Sequence, residues 1–190
     1  MSTKSKFFST LTILTILGLI FMLPACDQEP PMGVEEPAAQ SSGQVTILKM
    51  KDAPESSLKK LYIASARIDD DGGRISVGDY WSGISYIDFP EDAISSWSYP
   101  NGVAITFAWE SEGLMQAHFS PEGLAFRKPA YIRLSYKNAN LTGVNEYKLG
   151  IYYYNPATNN WEAVSHTVNT YYKYVEGYIN HFSLYAIGME

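Results

Sequence analysis

From Gln44 to the end of the chain, apolar and polar residues alternate with a period of two, as they do in half-buried β-strands. In the stretch Lys60–Ile68, for example, Tyr62, Ala64, Ala66 and Ile68 fall on one face. Turn residues interrupt the pattern every eight to twelve positions, which indicates a β-sandwich or a partly closed barrel. Of the two, we expect an all-β, antiparallel β-sandwich of short strands, with residues 44–190 forming one domain.

The strands predicted from this alternation follow one another with short gaps. They are Val45–Ile47, Lys60–Ile68, Arg74–Val77, Ile84–Phe89, Val103–Trp109, Leu114–Phe119, Tyr131–Tyr136, Tyr147–Tyr154, Trp161–Val164, Tyr171–Val175, Tyr178–Asn180 and Phe182–Ile187. One short stretch, Pro90–Ser95, is compatible with a helical turn because Pro90 suits its first position.

The N-terminus resembles the signal peptide of a bacterial lipoprotein. Lys4 and Lys6 precede an uncharged apolar run from Phe7 to Leu23, which is shorter than a typical membrane span. The run ends at Leu23-Pro24-Ala25-Cys26, which is similar to a lipobox. We therefore expect residues 1–25 to be removed and Cys26 to carry a covalent lipid that anchors the protein in a membrane.

The stretch 26–43 is acidic and rich in proline, with no aromatic residue, so we expect a flexible linker between the lipid and the domain. These features place the protein in the bacterial cell envelope. Its membrane leaflet stays open, because Asp27 resembles a retention signal for the inner membrane in some bacteria. In others, Asp27 together with Glu29 resembles a signal for export to the cell surface.

Charge and cysteine content exclude several classes of function. The chain has 14 Lys and Arg against 20 Asp and Glu, a net charge of −6, so it lacks the basic surface that nucleic acids require. Its single cysteine allows neither an internal disulfide nor a thiolate zinc site. We expect no cofactor other than the lipid on Cys26.

From about residue 62 the order of strand and turn motifs resembles that of the ZU-five domain, a β-sandwich module of ankyrins, netrin receptors and zonula occludens proteins. The matching motifs are Gly72-Gly73-Arg74-Ile75, Phe89-Pro90-Glu91-Asp92-Ala93, Pro121-Glu122-Gly123-Leu124-Ala125-Phe126-Arg127-Lys128-Pro129, Trp161 and His181-Phe182-Ser183. Asp92 stands where the family often has glycine. The resemblance implies an interaction or scaffold module, without enzymatic turnover, that binds a partner at the envelope.

Motifs for an enzyme are absent: the chain has no nucleophile elbow, phosphate loop or His-Glu-x-x-His zinc motif. The resemblance raises one exception, because some ZU-five domains cleave themselves between Phe and Ser of His-Phe-Ser. In that reaction Ser183 would attack the carbonyl of Phe182 while His181 removes the hydroxyl proton. Cleavage would release only eight residues, so we expect the chain to stay intact.

Two further patterns suggest ligands. Asp69, Asp70 and Asp71 offer oxygen atoms to a calcium ion, but the loop lacks the distal glutamate of an EF-hand, and we expect a solvated turn and no metal.

Aromatic residues form the other pattern, since eleven of the 15 tyrosines lie in the last sixty residues. Tyr152 and Tyr154 fall on one face of a predicted strand, with Trp161 on the next. Either these rings are exposed and stack on the sugar rings of a glycan or on the surface of a partner, or both faces of the strand are buried.

Overall fold

A computed structural model describes residues 44–51, 62–109, 113–164 and 166–190. These residues form two antiparallel β-sheets that pack against each other, which confirms the predicted all-β sandwich. The strands are β1 (Thr46–Ile47), β2 (Ile63–Ile68), β3 (Gly73–Val77), β4 (Ser85–Phe89), β5 (Val103–Trp109), β6 (Gln116–Ser120), β7 (Ala125–Ser135), β8 (Gly150–Asn155), β9 (Asn160–Ala163), β10 (His166–Asn169), β11 (Tyr174–His181) and β12 (Leu184–Met189). A 3₁₀ turn, Glu146–Lys148, precedes β8.

The larger sheet has seven strands, six of them in the order β2-β5-β6-β12-β8-β9. The seventh, β1, pairs with the end of β12, where Thr46 lies opposite Met189. Leu48, just after β1, is buried and donates its backbone N–H to the carbonyl of Ile187. The first described residues are therefore part of the sandwich.

The smaller sheet has five strands in the order β10-β11-β7-β4-β3. Residues Ala130, Ile132 and Leu134 of β7 point inward and are fully buried, as expected for alternation on a half-buried strand. The core between the sheets is rich in phenylalanine, and the rings of Phe119 and Phe182 stack with their centroids 5.2 Å apart.

The other side of the five-stranded sheet, which we call the outer face, carries tyrosines and paired charges instead of aliphatic residues. Neighbouring strands place these residues opposite one another: Tyr86 faces Arg133, which faces Glu176, and Tyr131 faces Tyr178. Directly opposed side chains on one face of a sheet are within contact distance. The outer face is therefore a continuous surface of interacting side chains.

Four local predictions differ from the structure. The predicted strand Tyr147–Tyr154 begins only at Gly150, because Glu146–Lys148 forms the 3₁₀ turn. The predicted strands Tyr171–Val175 and Tyr178–Asn180 are one strand, β11, and the residues before it form a turn in which Lys173 has a φ of +61°. β10 was not predicted, because its sequence, His-Thr-Val-Asn, contains a single apolar residue. Pro90–Ser95 forms no helix; Ala93 donates to the carbonyl of Pro90 in a simple turn.

None of the helical segments among the described residues is long and apolar enough to cross a membrane. The predicted signal peptide, the lipidated Cys26 and the linker 26–43 lie outside those residues and stay predictions.

Candidate functional site: an aromatic cleft

A cleft of about 310 Å³ opens at one end of the outer face. It lies between the loop that precedes β4, the end of β7 and the turn that joins β10 to β11. Its lining residues are Asp79, Tyr80, Gly83, Ile84, Arg133, Ser135, Lys137, Tyr172 and Tyr174. The volume is at the lower end of the range for small-ligand sites, and the lining combines aromatic rings with a few charged groups, as such sites usually do. We call this feature the aromatic cleft.

The first wall is the loop Gly78–Gly83, which holds Tyr80 and Trp81 in solvent. Their side chains are 75% and 84% exposed, and the two rings contact each other edge to face at 5.2 Å. Asp79 fixes the loop from within: its Oδ1 accepts hydrogen bonds from the backbone N–H groups of Trp81 (2.9 Å) and Ser82 (2.7 Å) and from the Ser82 hydroxyl (2.8 Å). These donors lower the pKa of Asp79, the Ser82 backbone first. The loop therefore presents its aromatic residues from an ordered base.

Two glycines allow this loop to close tightly. Gly78 and Gly83 both have positive φ values, +90° and +87°. A Cβ on Gly83 would lie 1.9 Å from the Ser135 hydroxyl oxygen, and one on Gly78 would lie 2.1 Å from the carbonyl oxygen of Gly83. Only glycine fits at either position. The close contact between this loop and the end of β7 therefore requires both glycines.

The second wall is the β10–β11 turn, which exposes Tyr171 (82%) and Tyr172 (61%). Asn169 Oδ1 accepts the backbone N–H of Tyr172 at 2.8 Å. Lys173 is held on its other side, because its ammonium pairs with Glu146 at 2.7 Å and its carbonyl accepts the N–H of Tyr136. This turn, like the first loop, holds large exposed rings in place by polar contacts.

Between the walls, arginine and tyrosine side chains stack in a row across the outer face. The Arg74 guanidinium lies 4.2 Å from the ring centroid of Tyr86, and Arg133 lies 5.2 Å from Tyr86 and 4.0 Å from Tyr174. The ring of Tyr174 is nearly parallel to that of Tyr172. Cation–π contacts of this kind order both partners. The row ends at Tyr172, whose ring is exposed to the cleft.

The charges beside the cleft compensate one another. Arg133 forms an ion pair with Glu176 at 2.8 Å, and the hydroxyl of Tyr131 donates to the same carboxylate. Burial, followed by this hydrogen bond to Glu176, raises the pKa of Tyr131, which therefore stays a hydroxyl donor. The Arg133–Glu176 pair adds no net charge to the cleft.

Among the described residues that line the cleft, Lys137 and Asp79 are the two charged groups outside an ion pair, and Lys137 Nζ lies 5.0 Å from the centroid of the Tyr80 ring. Lys137 Nζ donates to the carbonyl of Tyr80 at 3.2 Å and forms no ion pair with another described residue. Asp79 uses only Oδ1 within the described part of the chain, which leaves Oδ2 as an acceptor. One donor and one acceptor thus border the exposed rings.

The aromatic residues predicted as a binding surface lie on the other sheet. Tyr152 is buried (4% exposed), so its ring has no free face for a ligand. Tyr154 and Trp161 are opposite each other on β8 and β9, half-buried, with ring centroids 5.5 Å apart. Any binding there would depend on Tyr154 and Trp161 alone.

Sequence reasoning missed Tyr80 and Trp81. The signal was the segment Gly78-Asp79-Tyr80-Trp81-Ser82-Gly83, in which two large aromatic residues lie inside a turn. Strand packing does not account for aromatic residues in such a turn, which makes the pair a candidate binding surface.

The residues of the predicted self-cleavage sequence have other partners. The Ser183 hydroxyl donates to the carbonyl of Tyr154 at 2.9 Å, and His181 Nδ1 lies 3.1 Å from the Tyr185 hydroxyl. Phe182 is buried in the core, and its carbonyl accepts the N–H of Gly123 at 3.1 Å. None of these hydrogen bonds joins His181 to Ser183, and the expectation that the chain stays intact stays a prediction.

The three aspartates considered for calcium form the turn between β2 and β3. Asp69 Oδ1 accepts the N–H of Asp71, while the carbonyl of Asp70 accepts the N–H of Asp92. Across the described ranges, no three His, Cys, Asp or Glu side chains are grouped closely enough to hold a metal ion.

Comparison of the chain with models of known protein families gives no match, and comparison with curated proteins gives none either.

Proposed function

We propose that the protein is a lipid-anchored component of the bacterial envelope whose sandwich binds carbohydrate in the aromatic cleft. One observation carries the proposal: two loops, each fixed by side-chain hydrogen bonds to its own backbone, hold Tyr80 and Tyr172 at the lining of a concave site, and their exposed neighbours Trp81 and Tyr171 lie beside it in sequence. Exposed aromatic side chains that form a contiguous patch are a general sign of a binding surface.

The chemistry of the cleft suits a sugar. The apolar C–H face of a sugar ring stacks on an exposed aromatic ring such as Tyr172, while its hydroxyls need donors and acceptors at the edge. Lys137 Nζ supplies a donor, and Asp79 Oδ2 supplies an acceptor. A protein partner, by contrast, usually requires a flat area of about 800 Å² on each side.

A panel of immobilised polysaccharides tests this function. The full-length protein in detergent is applied to neutral glucans, mannans, xylans and galactans and to acidic pectin and alginate. We expect at least one polymer to bind, and Tyr172→Ala to weaken that binding about tenfold, a loss of about 1.4 kcal/mol. Trp97→Ala is the matched control, because Trp97 is 95% exposed and follows the opposite end of β4. Absence of binding to every polymer contradicts the proposal.

The lipid anchor is proposed from the sequence around Cys26 and has its own test. Cells that express the protein are labelled with palmitate. The expected result is a labelled protein in the membrane fraction, and no label in Cys26→Ser. Label that survives in Cys26→Ser rules out this anchor.

An interaction module for a protein partner is the second candidate. It is supported by the resemblance to ZU-five domains and by Asp92, which has a φ of +62° at the position where the family often has glycine. In this case the contact would lie in the loop after β4, which exposes Trp97. Cross-linking in intact cells that is lost in Trp97→Ala and retained in Tyr172→Ala would favour it over carbohydrate binding.

A further inference from the structure

The outer face continues beyond the aromatic cleft along β11. Its outward side chains are Tyr174, which lines the cleft, then Glu176 and then Tyr178. Tyr178 is 64% exposed, and its ring contacts that of Tyr131 edge to face at 5.6 Å. A second exposed aromatic ring therefore lies on the strand that leads away from the cleft.

The distance from the cleft to Tyr178 is longer than one sugar ring. Tyr174 marks the cleft end of β11, and Tyr178 lies four residues further along the strand, which places the Tyr178 position about 14 Å from the cleft. A single sugar ring cannot contact both positions, whereas a short chain of linked sugars that follows the strand can.

The surface between the two positions is polar but uncharged overall. Glu176 is paired with Arg133, and both side chains are about a quarter exposed. At the other edge of this face, the charges of the exposed pair Arg74–Asp88 also compensate each other. This surface has no row of unpaired cations that could bind a carboxylated or sulfated polysaccharide. The charge pattern therefore fits a neutral polysaccharide whose hydroxyls form hydrogen bonds with the paired groups.

We propose that the site binds the interior of a neutral polysaccharide, with several consecutive sugars lying along β11 from the cleft to Tyr178. This inference rests on the proposed function and specifies its ligand. Tyr172 forms one end of the binding surface and Tyr178 the other, with Glu176 and Arg133 between them.

A length series of neutral oligosaccharides tests the proposal. The probes are cello-, malto-, manno- and xylo-oligosaccharides of two to six sugars, with polygalacturonate as the acidic polymer, and binding to the full-length protein is measured by calorimetry. We expect affinity to rise with length until the chain spans both aromatic positions. Tyr178→Ala should weaken binding of the longest probes about tenfold and leave the shortest unchanged, whereas Tyr172→Ala should weaken binding of all of them.

Tyr178→Phe, which keeps the ring, should bind as the wild type does, and unchanged unfolding temperatures show that the exposed substitutions leave the fold intact. Binding that does not depend on length, or long probes unaffected by Tyr178→Ala, overturns this inference but leaves carbohydrate binding in place. Tighter binding of polygalacturonate than of any neutral probe contradicts the inference that the bound polysaccharide is neutral. No binding of any probe or of any polymer in the panel overturns the proposed function itself.

Discussion

Arg133 is the residue on which most of the outer face depends. It stacks between Tyr86 and Tyr174 and pairs with Glu176, and its side chain is 29% exposed. Glu176 in turn accepts from both Arg133 and Tyr131. Removal of the carboxylate would leave the Tyr131 hydroxyl and Arg133 Nε without this acceptor, while Arg133 Nη2 keeps its hydrogen bond to the Tyr131 hydroxyl at 3.2 Å. The loss of an acceptor in a partly buried setting is more costly than the loss of a hydrogen bond in water.

We therefore expect Glu176→Ala to lower the free energy of unfolding by about 1–3 kcal/mol. Arg74→Ala is the matched control, because the Arg74–Asp88 pair is more exposed and such surface pairs are worth about 0–1 kcal/mol. Urea denaturation gives both values. Equal effects of the two substitutions would contradict the role assigned to Glu176.

The carboxylate of Asp79 makes the first loop sensitive to acid. Its hydrogen bonds lower the folded-state pKa below the ordinary value of 3.8. The charged form therefore stabilises the folded loop above pH 3.8, and this contribution is lost as the pH falls through the lower, folded-state pKa.

Asp79→Asn should accordingly lower the unfolding temperature at pH 7 and have a smaller effect at pH 2. The measurement is a pair of thermal scans at each pH, with Asp71→Asn as the control, because the Asp71 side chain accepts no hydrogen bond from another described residue. A difference in unfolding temperature between the wild type and Asp79→Asn that grows toward low pH would contradict a stabilising role of the charged carboxylate.

At the scale of elements, the two loops that border the cleft are built differently from the strands. The strands follow from alternation of apolar residues, whereas the loop Gly78–Gly83 depends on two positive φ angles and on the close approach of Gly83 to Ser135. A side chain at Gly83 must displace either the loop or β7.

Gly83→Ala should therefore destabilise the protein by more than the conformational penalty alone, which is about 1–2 kcal/mol for a left-handed residue. Gly143→Ala isolates that penalty, because Gly143 has a φ of +74° and its added Cβ would have no atom within 4 Å. Denaturation curves of the two variants separate steric clash from backbone strain. If Gly83→Ala is no worse than Gly143→Ala, the loop does not depend on this contact.

Sequence alternation predicted the fold class and most strands, because one face of most strands is buried in the core; β10, which was not predicted, has no buried residue. It could not place the site. Tyr152 is buried although alternation allowed an exposed face, since a period of two distinguishes the faces of a strand but not what covers them. Tyr80 and Trp81 lie in a turn, where no periodicity exists. Tyr171 and Tyr172 suggested a strand, yet Asn169 and Lys173 close a turn around them.

At the scale of the whole molecule, the sandwich begins before the region that resembles the ZU-five domain. β1 pairs with β12, Leu48 is 3% exposed, and its carbonyl accepts the N–H of Met115. Burial of one leucine side chain is worth about 1.5–3 kcal/mol. Residues 44–51 should therefore be required for full stability.

A protein that begins at Gln44 should fold alone, with a β-type circular dichroism spectrum and no response to reductant. One that begins at Tyr62 should unfold at a clearly lower temperature or not fold. Leu48→Ala in the longer protein is the matched control and should lose about 2–5 kcal/mol. A helical spectrum of the longer protein, or equal stability of the two, would contradict this account.

The compensated charges of the outer face also determine how a ligand arrives there. Each arginine of the stacked row, Arg74 and Arg133, has a carboxylate within its own sheet, so the fields of the two charges largely cancel at distances well beyond their separation. Salt screens unpaired charges over a Debye length that falls from ~30 Å at 0.01 M salt to ~3 Å at 1 M, and association rates of sites that steer charged ligands fall with it. On this surface capture depends on random encounter and short-range contact. The association rate of a neutral chain should therefore be the same in fresh water and in brine.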